Sequence, residues 1–149
     1  MNFLLDTNIV SEWTRPRPDP GVVTWLAGAD EDRVFISVLT LAELRHGIER
    51  MPDAARRARL HAWLSEQMKP RFEARILPVD EATADIWGRV MARGQQAGRP
   101  VGTMGAFIAA TAERHDLTLV TRNIADFSAL GLRLINPWRD GLHKSTLTP

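Results

Sequence analysis

Acidic and amide side chains follow two apolar runs of this 149-residue sequence. Asp6 and Asn8 come directly after the run FLL, and Asn123 and Asp126 come shortly after the run LTLVT. Carboxylates gathered without histidine or thiolate ligands form an oxygen-only site, which suits Mg²⁺ or Mn²⁺ and not zinc. The residue types therefore predict a divalent-metal site that can polarise a phosphate oxygen and activate a water.

A third acid, Glu43, lies six residues beyond the end of the apolar run RVFIS, in the opening turns of the helix expected there. Each acid also has a purely structural explanation. Asp6 can cap the next helix, Asp126 can cap a short turn, and Glu43 points away from the apolar face of its helix, as solvated glutamates do. The three acids together favour a site, although neither explanation is excluded for any one of them.

Five short apolar runs supply the strands that would position these acids. Most are separated by helical stretches, and this alternation predicts a parallel sheet with helical crossovers. Ligands of such a sheet bind beyond the carboxyl ends of its strands, where Asp6 and Asp126 would lie. The predicted strands are Phe3–Leu5, Arg33–Ser37, Ile76–Val79, Leu117–Thr121 and Arg133–Ile135.

Apolar residues at helical spacing predict the core faces of the intervening helices. The clearest stripe runs from Met104 through Phe107, Ile108 and Thr111 to His115, which predicts a central helix. Two segments rich in proline and glycine, RPRPDP at 15–20 and AGRPVG at 97–102, predict loops near the ends of the sheet.

The composition predicts one globular domain over residues 1–140 with a polar tail at 141–149. The chain has no cysteine, which excludes disulfides and thiol catalysis. Its first residues form neither a signal peptide nor a membrane span, so we expect a cytoplasmic protein. The net charge of +1 neither demands nor forbids a nucleic-acid partner.

Four motifs give the chain a resemblance to the PIN-domain family, and within it to VapC-like ribonuclease toxins of type II toxin–antitoxin systems. They are FLLDTNIVSE, SVLTLAELRHGIER, FIAATAERHDLTLVTRNIADF and INPW. The resemblance implies a three-layer α/β/α sandwich with a central, mostly parallel five-stranded sheet, and a homodimer. It also implies Mg²⁺- or Mn²⁺-dependent cleavage of RNA, with tRNA as the expected substrate, and an antitoxin that blocks the site.

Carried over by position, the resemblance makes Asp6, Glu43 and Asp126 the catalytic and metal-binding acids. Asn8, Thr121 and Asn123 become their polar support. The family has a further aspartate just before the helix sequence AFIAATA, and this chain has Gly105 there. Glycine within a helix costs about 1 kcal/mol relative to alanine, whereas an aspartate in the first turn is favoured by the helix dipole.

We therefore hypothesise that Gly105 replaces an ancestral or native aspartate and that this form is impaired, either by engineering or by escape from toxicity. The alternative is an inactive PIN-like module that binds an antitoxin and possibly nucleic acid. Arg99 and Arg122, beside the expected site, are candidate phosphate contacts. A haloacid-dehalogenase-like phosphatase is disfavoured because Asn8 stands where it needs an acid, and a dinucleotide fold is disfavoured because no glycine-rich turn follows the first strand.

Overall fold

The computed structural model describes residues 1–140, and the predicted tail from 141 to 149 lies outside the described residues. Five strands form, each within one of the predicted runs, and four of them are shorter than the run that predicted them. The strands are short because neighbouring strands pair over only two or three residues. They are β1 Phe3–Leu5, β2 Val34–Ser37, β3 Ile76–Leu77, β4 Thr118–Val120 and β5 Leu134–Ile135.

The strands form one sheet in the order β3-β2-β1-β4-β5, and every pairing is parallel. Helices cover both faces of the sheet, so the predicted three-layer α/β/α architecture is confirmed. The chain builds outward from β1 to β3 and then returns to the other side of β1 with β4. The strand order therefore reverses between β1 and β4, which is where a parallel sheet opens a crevice for ligands.

Eight α-helical segments precede β5, the fourth of them continues as a π-helical turn at Leu64–Met68, and residues 137–140 are helical as well. Pro20 begins the second helix, so the predicted loop at 15–20 was wrong at its last residue. Proline is tolerated there because the first helical residue needs no N–H partner. The segments are α1 Thr7–Glu12, α2 Pro20–Gly28, α3 Val38–Glu49, α4 Ala54–Trp63, α5 Lys69–Arg71, α6 Glu81–Gln96, α7 Thr103–Arg114 and α8 Ile124–Phe127.

The core lies on both faces of the sheet, because successive strand residues point to opposite sides. Leu5 and Val120 belong to the cluster under α2 and α3, while Leu4 and Leu119 belong to the cluster under α6 and α7. All four are fully buried. This burial on both faces explains why the strands read as continuous apolar runs and not as alternating ones.

Helices α6 and α7 form an antiparallel pair whose connection brings the start of α7 to the carboxyl edge of the sheet. The predicted stripe on α7 was wrong at Met104, which is 37% exposed, and right at Ile108 and Thr111, which are buried. A Cβ on Gly94 would lie 3.0 Å from the Arg99 carbonyl oxygen, so glycine there lets the connecting loop fold back against α6. Within residues 1–140, no helix is long and apolar enough to cross a membrane.

Candidate active site

A cavity of about 330 Å³ opens at the carboxyl edge of the sheet, beside the ends of β1 and β4. Asp6 enters it directly after β1, Glu43 from α3 and Asp126 from α8. Gly105 and Asn123 also line it. The structure thus places the three predicted acids around one cavity, together with the glycine that the sequence singled out.

Asp6 is held rigidly at the edge of the sheet, where the strand order reverses between β1 and β4. Its backbone N–H donates to the Val120 carbonyl at 2.9 Å, which ties it to β4. Its Oδ1 accepts from the Thr7 N–H at 2.8 Å and caps α1, and its Oδ2 accepts from the Thr121 hydroxyl at 2.8 Å. Asp6 therefore serves both as a helix cap and as a cavity residue, because the cap fixes the direction of the carboxylate.

The electrostatic environment of Asp6 disfavours an unpaired negative charge. Burial raises the pKa of the Asp6 carboxyl above its ordinary value, and the neighbouring Glu43 carboxylate adds to the rise. Hydrogen bonds from Thr121, from the Thr7 N–H and from Asn8 oppose it, and burial prevails. A cation placed between two such acids would favour their charged forms.

Thr7 connects Asp6 to Glu43. Its N–H donates to Asp6, and its hydroxyl donates to Glu43 Oε1 at 2.7 Å. The Thr40 hydroxyl lies 3.2 Å from the Thr7 hydroxyl. Glu43 is half-buried, and its bond to Thr7 orients it, so it is not the solvated glutamate that its sequence position also allowed. Sequence reasoning did not assign Thr7 a role, although its position between Asp6 and Asn8 directly after a strand was a usable signal.

The three predicted supporting residues form a short chain of hydrogen bonds around Asp6. Thr121 is fully buried and donates to Asp6 Oδ2, while its own oxygen accepts from the Asn123 N–H at 3.0 Å. The Asn8 amide donates to the same Asp6 oxygen at 3.3 Å. The loop after β4 is thereby locked to the end of β1.

Asp126 occupies a more open position than the other two acids. It is an exposed residue in the short helix α8, and its N–H donates to the Asn123 carbonyl at 3.1 Å. The capping position of α8 belongs to Asn123, so Asp126 is not the cap that its sequence context also allowed. The buried Phe127 anchors α8 beside the cavity.

Gly105 is the third residue of α7 and is half-buried. A Cβ built on it would lie 3.3 Å from Val101 Cγ1 and 3.8 Å from the nearest atoms of the Phe127 ring. A side chain therefore fits after a small shift of Val101. The first turn of α7 holds no acidic residue, so its dipole is left without the partner an aspartate would supply.

The two predicted phosphate-contacting arginines lie in different places. Arg99 precedes Pro100, which lines the cavity, and donates to the Ser128 hydroxyl at 3.4 Å. Arg122 lines a second cavity of about 380 Å³, which shares Asp6, Glu43 and Asn123 with the first. Trp138 lines this second cavity as well. Sequence reasoning assigned Trp138 no role, although it follows β5 at the same edge of the sheet.

Comparison with known protein families decides the classification, because the model of the PIN domain matches residues 3–131. The chain belongs to the PIN-domain family. Toxin FitB of Neisseria gonorrhoeae is 38% identical to this PIN domain over 138 residues, which span 93% of this chain and 99% of that protein. VapC ribonuclease Y4jK of Sinorhizobium fredii is 35% identical over 136 residues, spanning 91% of this chain and 97% of that protein.

A more distant relative of this PIN domain is the tRNA(fMet)-specific endonuclease VapC of Shigella flexneri. The two are 29% identical over 140 residues, covering 93% of this chain and 98% of that protein. Among solved structures, the crystal structure of FitAcB from Neisseria gonorrhoeae superposes with a TM-score of 0.88 at 37% identity, covering 92% of this chain and 99% of that one. The likeness therefore extends over nearly the whole fold.

The donors of this PIN domain fit a hard divalent cation in kind, since Asp6, Glu43 and Asp126 offer only carboxylate oxygens. The spacing of these acids, however, does not make a complete ligand group. Within residues 1–140, no group of three or more histidine, cysteine, aspartate or glutamate side chains is close enough to hold a metal ion. Gly105 lines the same cavity as these three acids and contributes no carboxylate to it.

Proposed function

We propose that this chain is a VapC-like endoribonuclease toxin that depends on a divalent metal and is impaired by Gly105. The single observation that carries the proposal is the Asp6–Thr7–Glu43 unit, which aims two acids into a cavity also lined by Asp126 and Gly105. The ribonuclease and toxin names of its relatives support the same activity.

In this proposal Asp6, Glu43 and Asp126 would draw together around Mg²⁺ or Mn²⁺, since in the described residues they are not close enough to hold an ion as a group of three. When bound, the cation supplies charge stabilisation to the phosphate oxygens and makes a nearby water more acidic. Asp6 contributes a fixed, buried charge that three hydrogen bonds keep from rotating. The Thr7 hydroxyl holds Glu43 Oε1, which leaves Oε2 as the carboxylate oxygen without a hydrogen bond in the described part of the chain.

Glu43 is thereby placed to accept a proton from the attacking water. The water oxygen forms a bond to phosphorus in line with the 3′ oxygen of the preceding nucleotide, and the P–O3′ bond breaks. The departing oxygen takes up a proton from solvent water, and Glu43 returns its proton to solvent, which leaves a 3′-hydroxyl and a 5′-phosphate. Asn123 and Arg122, which line the cavities, and Arg99, next to Pro100 in the wall of the first cavity, would orient the phosphodiester.

Partners and location complete the proposal. A cognate antitoxin would neutralise the chain, as the complexes solved for VapBC proteins suggest, and two copies would form a homodimer in the cytoplasm. The substrate would be RNA, and tRNA is favoured by the relative that cleaves it.

A second function is favoured by Gly105 itself. With one acid fewer, the chain would be an inactive PIN-fold module that binds its antitoxin, and possibly nucleic acid, without turnover. The incomplete acid group of the described residues supports this alternative.

Cleavage of total tRNA in Mg²⁺ or Mn²⁺ separates the two functions. We expect weak, EDTA-sensitive cleavage by the chain and a rise of at least about tenfold in Gly105→Asp, because loss even of an outer-shell partner typically costs 10- to 100-fold. Gly105→Asn has the same shape without the charge and serves as the matched control. Equal rates for the chain and Gly105→Asp would overturn the impairment, and no cleavage by either would favour the binding module.

A further inference from the structure

We propose that the second cavity binds a nucleobase of the RNA and that the paired side chains of Arg122 and Trp138 are its stacking platform. This inference rests on the proposed ribonuclease function and names the part of the substrate that the site grips. The cavity measures about 380 Å³, within the roughly 300–1,000 Å³ range of ligand pockets. It adjoins the first cavity through Asp6, Glu43 and Asn123.

The guanidinium of Arg122 is arranged for stacking. Its central carbon lies 5.1 Å from the centroid of the Trp138 ring, so the indole supports one face of the cation. Arg122 is exposed, and within residues 1–140 its guanidinium makes no hydrogen bond or ion pair with another side chain. A planar cation held on an aromatic ring presents its other face and its N–H edge to a base and its phosphate.

The second cavity is lined by one other arginine, Arg15, whose charge is already paired within the protein. Arg15 lies 3.1 Å from the buried carboxylate of Glu12, which neutralises it. Glu12 also accepts from the Asp19 N–H at 2.9 Å, so this pair ties the loop before α2 to the end of α1. Arg122 is left as the cation of the cavity wall that no carboxylate of the described chain satisfies.

Asn8 couples the platform to the acids. Its Oδ1 accepts from the backbone N–H of Arg122 at 3.3 Å, while its Nδ2 donates to Asp6 Oδ2 at 3.3 Å. The backbone of the platform is therefore set at a fixed distance from the carboxylate of Asp6. A base stacked on Arg122 would place the phosphodiester attached to it at the edge shared by the two cavities.

Three single-stranded decamers of equal charge test the platform: oligo-A RNA, oligo-U RNA and an abasic sugar-phosphate chain. Binding to the full chain is measured by fluorescence anisotropy in EDTA, so that nothing is cut. We expect the RNAs to bind about 10-fold more tightly than the abasic chain, the size of one stacked base. Arg122→Ala should abolish this ratio and lower the slope of log affinity against log salt by about 0.7, the value for one phosphate contact on a single strand.

Further variants separate stacking from charge and from folding. Arg122→Lys should keep the salt dependence and lose most of the ratio. Trp138→Leu, which keeps an apolar side chain but removes the ring, should lose the ratio, while Trp138→Phe retains it. Arg114→Ala removes the same charge at the far end of α7, and should leave the ratio unchanged. If the ratio of RNA affinity to abasic-chain affinity is unaltered in Arg122→Ala and Trp138→Leu, the stacking platform is overturned while the proposed ribonuclease function stands. Absence of RNA binding by the chain itself would overturn the proposed function together with it.

Discussion

Asp6 shows how one side chain meets a structural and a chemical demand at once. Its Oδ1 caps α1, and its Oδ2 receives two further hydrogen bonds, so both carboxylate oxygens are oriented by the protein. The residue is nevertheless buried beside another acid, an arrangement that raises its pKa. A charge held where water solvates it poorly is a feature of functional sites, because stability alone would favour a neutral cap.

The raised pKa of Asp6 predicts a particular pH dependence of stability. Because the folded-state pKa lies above the ordinary value of 3.8, the folded chain binds more protons than the unfolded chain between those two values. The stability from this group is therefore complete below 3.8 and is lost as the pH rises through the folded pKa. Urea unfolding of the chain and of Asp6→Asn, in EDTA, measures the effect.

The free energy of unfolding of the chain minus that of Asp6→Asn should decrease as the pH rises from 3.8 toward neutrality. Other acids are common to both proteins, so their pH-dependent contributions to stability cancel in this difference. Asp80, whose pKa is lowered chiefly by the Thr83 N–H, is one of them. A difference that grows with pH would mean that hydrogen bonding outweighs burial at Asp6.

At the scale of elements, the site exists because helices begin where parallel strands end. Helix α1 starts one residue after β1 and α3 directly after β2, so the turn between them projects polar side chains over the edge of the sheet. This part was predictable, because apolar runs ending in Asp6 and Ser37 mark both strand ends. Strand lengths and the π-helical turn at Leu64–Met68 were not, since strand lengths depend on tertiary pairing and the turn buries Leu64 and Met68 in the core.

Helix α3 carries Glu43, and its start depends on Ser37. The Ser37 hydroxyl oxygen accepts from the Leu39 N–H at 3.0 Å, and Ser37 is fully buried. Replacing Ser37 with alanine should lower the free energy of unfolding by about 1 kcal/mol, because the first turn of α3 loses its cap. Urea denaturation measures this, and exposed Ser65→Ala is the control, expected to change stability by less than about 0.5 kcal/mol. Equal effects of the two substitutions would contradict the capping role.

Over the whole molecule, the fold class followed from the alternation of apolar runs and helical stripes, whereas the assembly of the site followed only in part. Parallel strands bring their carboxyl ends to one edge, so Asp6 and the loop after β4 were predictable neighbours. The Thr7 bridge to Glu43 and the pairing of Arg122 with Trp138 join residues 36 and 16 positions apart in the chain. Such contacts depend on side-chain directions that no local pattern encodes.

In the proposed function, the acids around the first cavity form a cation site that lacks one carboxylate, which Gly105 cannot provide. Room for a Cβ exists after a small shift of Val101, because the atoms nearest to a Cβ on Gly105 would be Val101 Cγ1 at 3.3 Å and the Phe127 ring at 3.8 Å. The fold therefore does not require glycine there.

Calorimetric titration with Mn²⁺ tests this claim most directly. Gly105→Asp should bind Mn²⁺ at least about 10-fold more tightly than the chain. Gly105→Ala and Gly105→Asn, which fill the same space without a charge, should bind no more tightly than the chain, and Asp6→Asn should bind more weakly. Equal Mn²⁺ affinity in the chain and in Gly105→Asp, with Asp6→Asn unchanged, would contradict a metal site at this cavity.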